Sequence, residues 1–166
     1  MPNFQHVKLY EDTVKAIYIE SILLIERLHR RFLDVIKTEL DRLKIEDINN
    51  VQTLILYNIN NEQLTIGELT NRGYYLGSNV SYNVNQLVES GFLMKERSPH
   101  DKRSTRVKLS DKGLALCAKI DELYQRNVNA LQQGKPDGNS LATMNATLQQ
   151  LEQFWSHYIN NIHKVA

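Results

Sequence analysis

Two stretches of the 166-residue sequence carry side chains suited to recognition chemistry. The first, SNVSYNVNQLVESG at 78–91, places Ser78, Asn79, Ser81, Tyr82, Asn83, Asn85 and Gln86 among apolar residues. Amides and hydroxyls both donate and accept hydrogen bonds. A row of them can read the donor and acceptor pattern on a base edge, and Asn or Gln bidentate to adenine is the clearest pairing. The second stretch, Lys95 to Lys108, sets six basic residues against Glu96 and Asp101, a local excess of four positive charges. Such cations neutralise phosphates and release counterions, an attraction that falls steeply with salt. An arginine at the tip of the segment can also enter a narrow minor groove.

The elements that must position these residues follow from periodicity. At about 100° per residue, Val80, Val84, Leu87 and Val88 share one arc of a helical wheel. Ser78, Tyr82, Asn85, Gln86 and Glu89 point away from that arc, with Asn79, Ser81 and Asn83 at its margins. The pattern predicts a helix over about 78–90, closed by Gly91. Its outward face is polar and nearly uncharged, whereas an ordinary solvated face mixes Lys and Glu. FLMKE and TRVKLS flank the basic segment as β-like runs and predict a hairpin. There Pro99 stiffens the turn, and Asp101 can pair with Arg103 or Arg106 and fix its direction. A short strand at Leu64 and Thr65 and a short helix from about Ile66 to Arg72, ended by Gly73, come just before. Two helices across a short turn, then a hairpin, make a winged helix-turn-helix.

Both ends of the chain read as long helices. From about Leu9 to Leu43, apolar residues recur at three- and four-residue steps without Pro or Gly. The rest of a small domain cannot cover so long an apolar face, which suggests packing against a second copy. Asp47, Asn49 or Asn50 can cap a second helix through Ile59. Ser110 and Asp111 open a long helix, GKPDGNS at 134–140 breaks it, and a last helix covers about 140–163. The fold class expected is mainly α with a small β-hairpin wing. Residues 1–44 would form an N-terminal dimerisation helix, 45–110 the DNA-binding lobe and 111–166 the C-terminal dimerisation helices, in one intertwined domain.

Bulk properties narrow the function classes. Net charge is +1, so attraction to a polyanion must come from local clusters. Cys117 is the single cysteine, which excludes an intramolecular disulfide and a cysteine metal site. No basic neighbour adjoins it to lower its pKa, so a buried, inert thiol is expected. His6, His29, His100, His157 and His163 show no metal-ligand spacing, and no metal or cofactor is expected. The N-terminus lacks a basic start followed by an apolar run, and runs such as SILLI at 21–25 are too short to span a bilayer. A cytoplasmic location without membrane contact is the expectation. No catalytic motif is present, and no enzyme is expected.

The segment 64–113 resembles the MarR family of bacterial winged-helix transcriptional regulators. The family pattern appears as Glu68-Leu69, Val80-Ser81, Leu87-Val88-Glu89-Ser90-Gly91, Asp101-Lys102-Arg103 and Leu109-Ser110-Asp111-Lys112-Gly113. The spacings from Leu69 to Val80 and from Gly91 to Asp101 fit without gaps, and the match covers about a third of the chain. Tyr74-Tyr75 and Leu76-Gly77 depart from the usual turn and capping residues.

The resemblance implies a homodimer clasped through the first helix and the last two. It implies a regulator, expected to be a repressor, on a pseudo-palindromic operator of double-stranded DNA, released by a small phenolic or anionic effector. Two-fold symmetry would place half-sites about one helical turn apart. Groove contacts are assigned to the seven polar residues named above and wing contacts to Lys102, Arg103 and Arg106, with Asp101 orienting the wing. Leu28, His29 and Phe32 are the candidate lining of an effector pocket. The competing reading is a winged-helix module whose hairpin binds an acidic protein. That surface would want exposed Leu, Phe or Trp anchors on the second helix, and only Tyr82 qualifies.

Overall fold

The structure is a computed structural model that describes residues 4–72, 77–97, 105–132, 134 and 136–165, with backbone alone for 4–11, 77–78, 97 and 163–165. The chain divides into two compact units, Met1–Ile120 and Asp121–Ala166.

The first unit opens with helix α1, Phe4–Leu43. It starts five residues before the expected Leu9, since nothing in 4–9 breaks a helix. Its C-terminal end buries Ile36 and Leu40. Glu39, only 5% exposed, is held by Arg42 through a two-pronged contact of 2.9 and 2.7 Å. The helix exits through Lys44 at φ 56°, with the Ile45 amide donating to the Leu40 carbonyl at 3.0 Å. This is the left-handed stop usually made by glycine.

Helix α2, Asn50–Ile59, is capped by Asn49, one of the three expected candidates, in a reciprocal pair with Gln52. Such a cap contributes about 1 kcal/mol. The Asn50 amide donates to the Leu33 carbonyl at 3.1 Å and ties α2 to α1. Strand β1 is Leu64–Thr65, and helix α3, Ile66–Asn71, begins with a second reciprocal cap between Thr65 and Glu68. The Gly73 stop expected for this helix lies outside the described residues. Helix α4 runs Gly77–Glu89, within one residue of the expected bounds.

Strands β2, Leu93–Arg97, and β3, Thr105–Leu109, form the expected hairpin. With β1 they make a three-stranded antiparallel sheet in the order β1-β3-β2. The register pairs Leu64 and Lys95 with Val107, and Glu96 with Arg106. Because strand residues alternate faces, Leu93, Val107 and Leu109 turn to the core while Arg106 and Lys108 turn outward. The core joins Ile55, Leu56, Ile59, Leu69, Val80, Val84, Leu87, Phe92 and Val107, each 1% exposed or less. Each such burial stabilises by about 1.5–3 kcal/mol before entropy is counted.

Helix α5, Asp111–Leu131, begins in the first unit and continues in the second, where helix α6, Gly138–Val165, follows. Asp137 caps α6 by accepting from the Ser140 amide at 2.8 Å, a contact that holds its carboxyl below the usual range. Within this unit Val128, Leu131, Pro136 and Leu141 line an apolar hollow of about 350 Å³. No helix among the described residues is long and apolar enough to cross a membrane. Among the described residues, no group of three or more His, Cys, Asp or Glu could hold a metal ion.

Candidate nucleic-acid interface

Helix α4 is fixed from below by its apolar residues. Val80 and Val84 are 0% exposed and Leu87 is 1% exposed, with Val88 half-buried. Helix α3 packs against it. Arg72, at the end of α3, donates to both oxygens of Glu62 and to the Asn58 carbonyl at 3.4 Å, which pins α3 to the α2–β1 turn. The guanidinium holds the Glu62 carboxyl below its usual range.

The far end of α4 stops sharply. Gly91 takes φ +74°, its amide donates to Val88 and the Phe92 amide donates to Leu87 at 2.8 Å. Only glycine adopts that backbone without penalty. Phe92 then buries against the core, and its carbonyl accepts from the Ser110 amide at 3.0 Å. The Ser110 hydroxyl donates to the Gly91 carbonyl at 2.6 Å and accepts from the Gly113 amide at 3.1 Å. A Cβ at Gly113 would sit 2.4 Å from the Phe92 oxygen, so no side chain fits there. Lys112 closes the junction: it pairs with Asp47, donates to the Ser90 carbonyl and lies 4.1 Å from the Phe92 ring centre. The two motif glycines therefore serve one lock, which fixes the root of the hairpin against α4 and α5.

On the outward side of α4 the seven candidate residues separate. Tyr82, 65% exposed, Asn79 and Asn85 face solvent, while Ser81, Asn83 and Gln86 are half-buried. Ser78 lies in the first turn, and its side chain is outside the described set. Asn83 donates its amide to the Asn79 carbonyl at 2.8 Å, and Gln86 donates to Glu89 at 3.1 Å. Asn85 accepts from the Lys95 ammonium at 2.7 Å.

Of the wing candidates, Arg106 is described, and Lys102, Arg103 and Asp101 lie outside the described residues. Arg106 sits on the outer face of β3, opposite Thr65 and Glu96, and its charge helps to lower the Glu68 pKa. Lys108, counted in the basic excess, is paired with Glu96, which also accepts from Gln63 at 3.1 Å. Glu96, already subtracted in the local excess of four, thus offsets Lys108 at the hairpin base. Leu28 and His29 are exposed on α1, Leu28 at 57%, and Phe32 lies one turn further along. Cys117 is half-buried on α5.

Reasoning from charge counts Lys95 in the basic segment but gives it no contact of its own. The signal for it is parity: in FLMKE it falls on the same strand face as Leu93, so a lysine stands where an apolar residue is expected. At the end of the sheet that face meets α4.

A family model described as a winged helix DNA-binding domain matches residues 48–113, from the α2 cap to the Gly113 lock. The chain is 39% identical over 146 residues to the exopolysaccharide II synthesis transcriptional activator ExpG of Rhizobium meliloti (strain 1021), covering 88% of this chain and 75% of that protein. The fold is similar to Streptococcus pneumoniae FabT in complex with DNA, with a TM-score of 0.69 at 18% identity, over 85% of this chain and 99% of that one. It is also similar to a mutant E. coli MarR complexed with operator DNA, with a TM-score of 0.63 at 22% identity, over 81% and 94% of the two chains. The chain belongs to the MarR family of winged-helix DNA-binding transcriptional regulators.

Proposed function

We propose that two copies of the chain bind double-stranded DNA together, each laying α4 in a major groove while the hairpin follows the flanking backbone. The observation that carries this reading is α4 itself. Its apolar residues are consumed by the core, and Asn79, Tyr82 and Asn85 are left facing outward beside a hairpin with a surplus of cations. Pairing of copies is supported by α1, where Ile17, 58% exposed, and Leu28 belong to a long apolar face. Monomeric proteins rarely leave such a face in water. On α6, Met144, Leu148, Phe154, Tyr158, Ile159 and Ile162 are exposed as well. A phenolic or anionic effector would act by favouring one spacing of the two lobes over another. In the homodimer, Leu28, His29 and Phe32 are the residues proposed to line its site, closed by the second copy. A cytoplasmic location follows from this role.

The sign of regulation has two readings. The family resemblance implies repression. The 39% identical relative is named an activator, and that likeness spans 88% of this chain, which favours activation here. A promoter fusion assayed with and without the protein separates them.

DNA binding is tested by gel-shift titration. Arg106→Ala and Arg103→Ala are each expected to weaken binding by about 1–3 kcal/mol and to lower the salt slope by about one unit. Unchanged binding in both variants would remove the hairpin from the interface and favour an acidic protein as its partner.

A further inference from the structure

The partners of the α4 amides settle which way each one faces. Lysine can only donate, so the Asn85 atom 2.7 Å from the Lys95 ammonium must be the carbonyl oxygen. The Asn85 NH2 group is then the part left for a ligand. Reading adenine with asparagine needs both halves of the amide, the oxygen for the N6 amino group and the NH2 for N7. The ammonium takes one of the two lone pairs of that oxygen and sets a positive charge and further donors beside it. An amino donor such as adenine N6 approaching this oxygen meets a cation, whereas acceptor atoms are attracted to the ammonium and to the Asn85 NH2 alike. Guanine alone presents two acceptors, N7 and O6, on its major-groove edge.

We propose that Lys95 is a specificity-determining positioning residue: it fixes the Asn85 amide and sets a cation beside its oxygen, so that the pair selects guanine over adenine. The same reasoning applied along the helix gives the contrast. Gln86 turns its NH2 toward the acceptor-only Glu89 carboxylate, and Asn83 turns its NH2 toward a backbone carbonyl. In those two amides the contact is made by the NH2 group, and no cation stands against the oxygen in these contacts. Asn85 therefore differs from its neighbours because a cation from β2 reaches across to it. The clamp depends on strand parity, since Lys95 lies opposite Val107 on the core-facing side of the sheet. Pairing also places Lys95 on the strand that carries the hairpin, so the wing's root and the helix's readout share one side chain.

This inference rests on the proposed binding of α4 in a major groove. The test uses the full chain and a random duplex pool, with bound sequences read for the wild type, Asn85→Ala, Lys95→Met and Lys95→Arg. The position whose preference disappears in Asn85→Ala is the one Asn85 reads. The wild type should hold guanine there, with about a tenfold loss when adenine replaces it in a titration. Lys95→Met should shrink that ratio to about twofold or less, because the amide is free to turn and satisfy adenine. Lys95→Arg keeps a donor and should restore the preference. The proposal is overturned if Lys95→Met weakens the guanine and adenine duplexes equally while the salt slope drops by about one unit, which is the signature of a phosphate contact. It is also overturned if adenine is enriched by the wild type at that position, or if Asn85→Ala erases no preference. A wild-type protein that enriches no sequence at all removes the groove reading together with the clamp.

Discussion

The junction of α4, β2 and α5 and the exposed face of α1 solve opposite problems. At the junction four residues are answered within the chain: Gly91 supplies the turn, Ser110 bridges two backbones, Lys112 has three partners and Gly113 leaves room for a carbonyl. Along α1, large apolar side chains from Val14 to Val35 stand in solvent. Closure in one region sets a fixed angle between helix and hairpin. Openness in the other calls for a surface from outside the chain. The difference teaches that the proposed reading head is preformed within one chain, whereas the spacing of two such heads in the proposed pair would be set by assembly.

The largest effect should come from breaking the closed region. Gly113→Ala is expected to destabilise the first unit by about 3 kcal/mol, because the new methyl would overlap a backbone oxygen that cannot retreat without moving the hairpin root. A shift in the urea midpoint measures this, and an unchanged midpoint would show that the lock yields. The open region should respond in a different observable. Leu28→Ser combined with Phe32→Ser is expected to weaken self-association by about 2 kcal/mol or more while helical content is retained. Sedimentation over a concentration series reads it. A doubly substituted protein that still sediments as the wild type would mean that the α1 face serves another partner.

The smallest effect sharpens the comparison at its margin, in the exposed cap of α3. Glu68 has its pKa lowered first by the Thr65 amide, then by the Thr65 hydroxyl and the charges of Arg106 and Arg72. A carboxyl lowered on folding adds stability above its unfolded value of 4.5 and loses it as pH falls through the folded value. The urea midpoints of wild type and Glu68→Gln should therefore differ at neutral pH and converge below about pH 4.5. A constant difference across that range would rule out the titration of Glu68 as its source.

Much of this was legible in the residues. Apolar spacing gave α1, α4, α5 and α6 within a few residues, because a buried helical stripe leaves a strong periodic trace. Asn49 was one of three cap candidates offered by local chemistry, whereas Thr65 read only as a strand residue and its cap of α3 came from the structure. The pairing of Lys95 with Asn85 was not legible from charge. Ten residues separate them, and their meeting depends on the strand register and the turn at Gly91. Likewise, the sequence leaves open which cation Glu96 offsets; the fold sets it against Lys108 across the sheet, and the local excess of four is unchanged. Net charge along a sequence does not reveal which cations a fold will neutralise.

A single carbonyl, that of Phe92, takes the Ser110 amide and also forbids a side chain at Gly113. The pitch of the hairpin is therefore decided at its base, several residues from anything that would meet a ligand. Side-chain exchanges along the described part of β2 and β3 are therefore expected to keep the same aim, so new grips can be tried on this scaffold without resetting the socket that holds them.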